Sequence, residues 1–206
     1  MNLRQNIIPQ PPVTATAATQ SAFTIFGQNS REGTYILLID LHEPAEVSFG
    51  RFDGGRAIGL EPGKYLYVGS ALGAGKRAFP LAGRLLRHAL RSGNGRSHAI
   101  RKELLELFVS FGYLTPTGKG NKKLHWHIDY LLDLPEAEIV HVVMIMGASR
   151  FEHRLAGLVA SMPESSTVAD RLGAQDARSG THLFRISDPN LILANLEITV
   201  PQLMEG

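Results

Sequence analysis

The sequence has 206 residues, of which 44% are hydrophobic and 19% are charged. This composition is that of a globular chain able to bury its own core, and it excludes a mainly disordered protein. Because cysteine is absent, disulfide bonds and cysteine-ligated zinc sites are excluded as well. Apolar runs such as 142–146 are far shorter than the ~20 residues of a membrane-spanning helix. We therefore expect a cytoplasmic protein that does not associate with membranes.

The formal net charge of +2 hides an uneven distribution of charge. No acidic residue occurs between Pro62 and Lys102, whereas lysine and arginine recur throughout this stretch. A field of one sign attracts polyanions, which makes nucleic acid a candidate partner. The alternative is a solvated face that acidic residues elsewhere in the chain neutralise in space.

The N-terminal half predicts a tail followed by strands. Residues 1–31 are rich in Pro, Thr, Ala and Gln and lack hydrophobic periodicity, so we expect a disordered or poorly ordered tail. The main domain spans 32–188 and begins with an antiparallel meander of three or four strands. We place these strands at residues 34–41, 47–52, 56–60 and 64–70, with a hairpin turn at 53–55.

The second half predicts a mixture of helices and strands. Helices are expected at 79–91, at 97–108 with Ser97 as the N-cap, and at 149–161. Strands are expected at 124–132, 139–146 and 181–186, and residues 189–206 form a C-terminal extension of uncertain structure. This order predicts an α+β fold, in which helices flank a small antiparallel or mixed central sheet.

The predicted helix at 79–91 carries side chains suited to phosphate chemistry. Arg84 and His88 are four residues apart and lie one turn apart on the same face, with Arg87 and Arg91 beside them. Arginine binds phosphate oxygens and offsets charge that builds up in a transition state, and histidine can carry a proton. The alternative is an amphipathic helix whose polar face is simply solvated.

Two tyrosines in the predicted strands, Tyr35 and Tyr67, each lie close to a glycine. A strand tyrosine usually belongs to the core, where its hydroxyl finds a nearby partner. At a strand end and near an arginine, however, the hydroxyl can hold or activate a water molecule.

Three short motifs together resemble the signatures of the GIY-YIG nuclease superfamily: Gly33-Thr34-Tyr35, Tyr67-Val68-Gly69-Ser70-Ala71 and Arg84-Leu85-Leu86-Arg87-His88. Residues 33–184 are similar to the Uri-type endonuclease family within it, DUF123. That family also shows a His-Trp-His-Ile-Asp-Tyr-Leu segment, here 125–131, and a late Ser-His-Leu-Phe, here Thr181-His182-Leu183-Phe184. The resemblance implies a metal-dependent endonuclease that hydrolyses phosphodiester bonds in DNA by attack of water.

The resemblance also implies roles for individual residues. Tyr35 and Tyr67 match the signature tyrosines, one of which works as a general base with the metal-bound water. Arg84 matches the essential arginine that stabilises the phosphate, and His88 matches the histidine one turn later. Glu152 matches the glutamate that holds a divalent cation, Mg²⁺ or Mn²⁺. Tyr35 and Tyr67 are 32 positions apart, more than is usual in the superfamily, so the hairpin at 47–60 is an insertion.

Further residues are expected to surround this site. We expect DNA to contact the basic side chains of Lys76, Arg77, Arg87, Arg91, Lys122 and Lys123. In a strand, His125, His127 and Asp129 would share one face, and we expect them to line the cleft together with His182.

Two alternatives to the nuclease hypothesis remain open. His125, His127 and Asp129 could be the metal ligands of a different class of hydrolase. The chain could also be a non-catalytic nucleic-acid-binding module with the same fold.

Overall fold

In the computed structural model, the chain is described over residues 21–73, 79–113, 122–173 and 180–205. These parts form an α+β fold with a six-stranded mixed sheet and a separate two-stranded hairpin. Helices cover both faces of the larger sheet. The predicted fold class is therefore confirmed. Among the helices of these ranges, none has the length and apolarity needed to cross a membrane.

The strands are β1 (Phe23–Phe26), β2 (Gly33–Leu41), β3 (Ala45–Ser48), β4 (Ala57–Leu60), β5 (Gly63–Ala71), β6 (Ala137–Met146), β7 (Ser165–Thr167) and β8 (Leu183–Ile186). The helices are α1 (Pro80–His88), α2 (Arg101–Ser110), α3 (His127–Leu132), α4 (Glu152–Ala160) and α5 (Pro189–Glu205). The larger sheet has the order β1-β6-β2-β5-β8-β7. Its β1–β6 pair is parallel and its other pairs are antiparallel.

Strand β2 runs through the middle of the sheet and is buried on both faces. Because side chains alternate along a strand, Tyr35, Leu37 and Ile39 join one core cluster, which includes residues of α1, α2 and α3. Ile36 and Leu38 join the other cluster, which includes residues of α4 and α5. The chain therefore has two cores, one on each face of the sheet.

The hairpin is not part of a continuous meander. Strand β5 pairs directly with β2, whereas β3 and β4 pair only with each other in the described ranges. The prediction of one meander was thus wrong, although the turn at 53–55 is confirmed: it connects β3 to β4, and Asp53, Gly54 and Gly55 have positive φ there. Val47, Phe49 and Leu60 anchor the hairpin in the first core cluster.

The segment predicted as a strand at 124–132 contains helix α3 instead. Its backbone is fixed by the carboxylate of Asp129, which accepts hydrogen bonds from the N–H groups of His125 and Trp126. Ile128, Leu131 and Leu132 are buried at helical spacing. The alternation of His and Asp therefore wrongly predicted a strand, because capping and burial determine the conformation of this short segment.

Both predicted terminal segments contain elements that pack on the domain. Phe23–Phe26, assigned to the tail, pairs with β6 in parallel, and residues 1–20 lie outside the described ranges. The C-terminal extension is helix α5, which buries Ile192, Leu196 and Val200 in the second core. Helix α2 begins at Arg101 rather than after Ser97, because residues 92–100 follow an irregular path held by His98 and Arg91.

Candidate active site

The two signature tyrosines meet over a glycine on the face of the sheet that packs against α1. Tyr35 on β2 lies opposite Gly69 on β5, and the ring centroids of Tyr35 and Tyr67 are 6.4 Å apart. A β-carbon at Gly69 would lie 2.6 Å from the Cζ and hydroxyl oxygen of Tyr35 and 2.9 Å from Cε1 of Tyr67. Glycine is therefore required at this position so that the Tyr35 ring can lie across the neighbouring strand.

A buried chain of polar contacts leads from Tyr35 to Asp129. The Tyr35 hydroxyl oxygen is 2.8 Å from His88 Nε2, and His88 Nδ1 is 3.4 Å from Asp129 Oδ1. Burial lowers the pKa of His88 to about 4, outweighing the opposing effect of Asp129. His88 is therefore neutral at pH 7, so Nε2 accepts the Tyr35 hydroxyl proton while the Nδ1 hydrogen faces Asp129.

Asp129 is the anchor of this region. Its two carboxylate oxygens each accept a 2.9 Å hydrogen bond from the Arg87 guanidinium, and Lys122 Nζ is 3.9 Å away. Burial favours the protonated carboxyl, but the hydrogen bonds from His88, Arg87 and the backbone outweigh it and hold the pKa well below its usual range. A single buried carboxylate thus fixes α1, the start of α3 and the segment that precedes it.

Arg84 lies where the polar chain opens towards solvent. Its guanidinium carbon is 3.7 Å from the centroid of the Trp126 ring, and that of Arg87 is 4.2 Å from the same centroid. Burial raises the pKa of Tyr35, and the charge and hydrogen bond of Arg84 oppose this rise. The arginine is half-buried, so it can contact both Tyr35 and a ligand.

Glu152, the first residue of α4, completes the group. Its Oε2 accepts a short hydrogen bond from the hydroxyl of Ser70, and its Oε1 is 3.0 Å from His182 Nδ1. Burial favours the protonated form, but His182 and Ser70 hold the pKa of Glu152 below its usual range. The charge of Glu152 raises the pKa values of Tyr35 and Tyr67, as does their burial.

The structure thus brings together the five residues to which the sequence assigned catalytic roles: Tyr35, Tyr67, Arg84, His88 and Glu152. His182, expected to line the cleft, is buried beside Glu152. Tyr35, Tyr67 and His88 lie on the face of the sheet that packs against α1, and Glu152 comes from α4 on the other face. They approach each other at the ends of β2 and β5.

Several of the predicted nucleic-acid contacts are engaged within the protein instead. Lys122 is fully buried and donates to the carbonyl of Leu90 at 2.8 Å, and burial lowers its pKa to about 8. The Arg91 side chain is 8% exposed and binds Glu138. Together with Arg87, these residues hold the fold, which leaves exposed Lys123 as the surface candidate. Lys76 and Arg77 lie outside the described residues.

His125, His127 and Asp129 do not converge on a common metal position. His125 is exposed, His127 Nδ1 accepts a hydrogen bond from the N–H of Gly173 at 3.0 Å, and Asp129 is buried among donors. Across the described ranges, no group of three His, Asp or Glu side chains is placed to hold a metal ion. The metal-hydrolase hypothesis on these three residues was therefore wrong, because the segment is helical rather than extended.

The roles of Trp126, Ser70 and Asp129 were missed from the sequence. Ser70 lies inside the Tyr67–Ala71 motif, and its pairing with Glu152 depends on a contact across 82 positions. Asp129 is the N3 residue of α3, and its carboxylate accepts a hydrogen bond from the N–H of Trp126, the N-cap residue. Because the N-cap residue is tryptophan rather than Ser or Thr, the sequence lacks the capping-box pattern that signals a helix start.

The fold and the site define a class: an α+β domain with a tyrosine-centred polar site at the ends of its central strands. Residues 34–205 match the family described as domain of unknown function DUF123. The match covers most of the chain, and the protein belongs to this family. No curated protein and no solved structure matches the chain.

Proposed function

We propose that the protein is a divalent-metal-dependent endonuclease that hydrolyses phosphodiester bonds in DNA, as its resemblance to the GIY-YIG superfamily implies. The observation that carries this proposal is the meeting of Arg84, Tyr35 and Glu152 at one end of the sheet. An arginine and a carboxylate near one hydroxyl group can bind a phosphate and a cation together.

Arg84 would bind the non-bridging oxygens of the phosphate. Its guanidinium is oriented by the Trp126 ring, so little rotational freedom remains to be lost when the phosphate binds. As a positive charge next to the reacting phosphorus, it would stabilise the additional negative charge of the transition state.

Tyr35 and His88 would move the proton of the attacking water. The pKa of Tyr35 is raised by burial, so its hydroxyl is protonated at neutral pH. It can still accept a proton from water if it passes its own proton to His88 Nε2, which is 2.8 Å away. Asp129 would then face the imidazolium that forms, as an orienting carboxylate does in other proton relays.

Glu152 fits the role of a ligand to Mg²⁺ or Mn²⁺. Its carboxylate is ionised and its side chain is 27% exposed, and one carboxylate together with water and phosphate oxygens is a common way to hold Mg²⁺. A cation there would offset the charge of the phosphate during hydrolysis. The Ser70 hydroxyl and His182 fix the direction of the carboxylate.

Cleavage of labelled DNA tests the proposal. Wild-type protein with Mg²⁺ or Mn²⁺ should cut single-stranded, duplex or branched substrates, and Glu152→Ala or Arg84→Ala should each lower the rate by about 10²-fold or more. Glu103→Ala is a matched control, because Glu103 is an exposed acid in the first turn of α2. Arg154→Ala is the corresponding control for Arg84→Ala, because Arg154 is an exposed arginine on α4.

Wild-type activity in the Glu152 or Arg84 variant would contradict the assignment. A non-catalytic nucleic-acid-binding module would give a different result. It would bind DNA with strong salt dependence, it would cut no substrate with any divalent ion, and its binding would survive Glu152→Ala.

A further inference from the structure

A cleft of about 1220 Å³ lies beside the tyrosine site. One wall is the β3–β4 hairpin from Phe49 to Gly59. The opposite walls are the segment from Leu124 to Tyr130, which includes the start of α3, and residues 169–171 after β7. The hairpin is the segment inserted between the two signature tyrosines, and the site described above does not use it.

The lining of this cleft is basic and aromatic. Arginines project from opposite walls, Arg51 and Arg56 from the hairpin and Arg171 from the segment after β7, against the acids Asp53 and Asp170. Arg56 is 3.9 Å from Asp53 in an exposed pair, so that Arg51 and Arg171 on the two sides exceed the remaining acid, Asp170, by one positive charge. Both arginines are exposed at the surface of the cleft. Such an arrangement favours a ligand that carries repeated negative charge.

Flat rings lie between these charges. Phe52 and Tyr130 line the cleft, as do the imidazoles of His125 and His127. The Phe52 ring meets His127 edge to face at 5.5 Å, and both side chains are only partly buried. Partly exposed rings flanked by arginines suit unpaired bases, because every base has a flat face for stacking.

The cleft adjoins the candidate active site, because residues that line it contact residues of the site. His127 binds the N–H of Gly173, and the α-carbon of Gly173 is so close to Tyr67 that an added β-carbon would lie 3.3 Å from that ring. On the other side, the ring of His125 is 5.1 Å from Trp126, over which Arg84 lies. A polynucleotide with one phosphate at Arg84 would therefore extend into this cleft.

We propose that the cleft binds one unpaired nucleic-acid strand next to the bond that is cut, an inference that rests on the proposed function. Partly exposed rings between arginines suit unpaired bases, which a base-paired duplex does not offer for stacking, and a cleft of about 1220 Å³ gives room for a few nucleotides. The substrate preferred by the protein is then a single strand, or a duplex with a single-stranded end or branch. Its phosphates contact Arg51 and Arg171, and a base stacks on Phe52.

Binding measured without catalysis tests this inference. Fluorescence anisotropy with short labelled oligonucleotides in EDTA gives Kd as a function of salt, for single strands of DNA or RNA and for the matching duplex. The double variant Arg51→Ala/Arg171→Ala should raise the single-strand Kd about tenfold and lower the slope of log Kd against log salt by about 1.4, since each phosphate contact contributes about 0.7. Lys102→Ala, an exposed lysine on α2, should change neither quantity.

A second variant separates stacking from charge. Phe52→Leu should weaken single-strand binding about tenfold with an unchanged salt slope, because it removes a stacking surface and no charge. Urea unfolding midpoints equal to that of the wild type establish that all variants are folded. Unchanged single-strand affinity in both the double variant and Phe52→Leu would overturn the inference, as would a duplex that binds as tightly as the single strand and responds equally to both changes.

The outcomes for the inference and for the proposed function are separable. Cleft-dependent binding of a single strand by a wild-type protein that cuts nothing supports the cleft and contradicts the nuclease. Metal-dependent cutting that is lost in Glu152→Ala and unaffected, in both rate and KM, by the cleft variants supports the nuclease and overturns the cleft.

Discussion

Replacement of Asp129 by asparagine changes one buried oxygen into an NH₂ group, and no orientation of that amide can satisfy its surroundings. Oδ1 faces Arg87, His88 and Lys122, and Oδ2 accepts from Arg87 and from the backbone N–H groups of His125 and Trp126. At neutral pH, all of these partners present hydrogens. Whichever way the amide turns, its own hydrogens therefore meet donors.

The cost follows from the loss of the buried ion pair. Removing one partner of such a pair leaves the other charge uncompensated, which costs about 3–5 kcal/mol. At about 2–4 °C per kcal/mol for a chain of this size, the midpoint of thermal unfolding should fall by roughly 6–20 °C. A loss of about 3–5 kcal/mol is a large part of the ~5–15 kcal/mol that stabilises a typical domain.

Asp133→Asn is the matched control. Asp133 accepts from the N–H of Ser92 at 2.7 Å and from its hydroxyl at 2.5 Å. The hydroxyl can reverse and accept from the new amide, so this variant should lose only about 1 kcal/mol. Urea unfolding followed by the fluorescence of Trp126, the one tryptophan of the chain, measures both variants at the site itself. An Asp129→Asn protein within 1 kcal/mol of the wild type would refute the assignment of Asp129 as the anchor.

The remaining predictions concern the tyrosine and its histidine. Gly69→Ala should destabilise by about 1–3 kcal/mol in urea unfolding, since its β-carbon would overlap Tyr35. Gly157→Ala, in an open position on α4, should stabilise by about 0.5–1 kcal/mol, and equal effects of the two changes would argue against a specific overlap. His88 has a pKa of about 4 in the folded protein and about 6.5 in the unfolded chain, so the unfolded chain binds the extra proton between these values. Stability should therefore fall on acidification below pH 6.5, by about 1.4 kcal/mol per pH unit from this residue, and a His88→Gln variant with an unreduced slope would contradict the shift.

The buried strands and two of the helices could be predicted from the sequence because they depend on local composition. Strands β2, β5 and β6 are long apolar runs bounded by turn residues, and α1 and α4 carry apolar residues at helical spacing. Their predicted positions are confirmed to within a few residues. By contrast, β1 has four residues and exists as a strand through its pairing with β6, which composition does not reveal. Helix α5 contains Pro201, an interior position that weakens any local prediction of helix.

The candidate site could be predicted in part for the same reason. Tyr35, Tyr67, Arg84 and His88 were identified from short motifs that they carry themselves. The role of Asp129 depends on contacts with residues about 40 positions away. Its segment contains a helix instead of the expected strand, so the Asp129 side chain is buried and does not line the cleft. Lys122 was misassigned as a surface residue because charge alone does not distinguish an exposed lysine from one buried against a carbonyl.

The glycines of the motifs have structural explanations that do not require catalysis. Gly69 makes room for Tyr35, and a β-carbon at Gly33 would overlap the carbonyl of Ile145 on β6. The close packing of β2, β5 and β6 therefore explains the glycines at these two motif positions without any catalytic role. Arg84 and Glu152 differ, since each places a charged group at the partly exposed end of the sheet, where apolar packing does not require one. Variants of these two residues can thus separate catalysis from folding, whereas loss of activity in Gly69→Ala would leave the two effects combined.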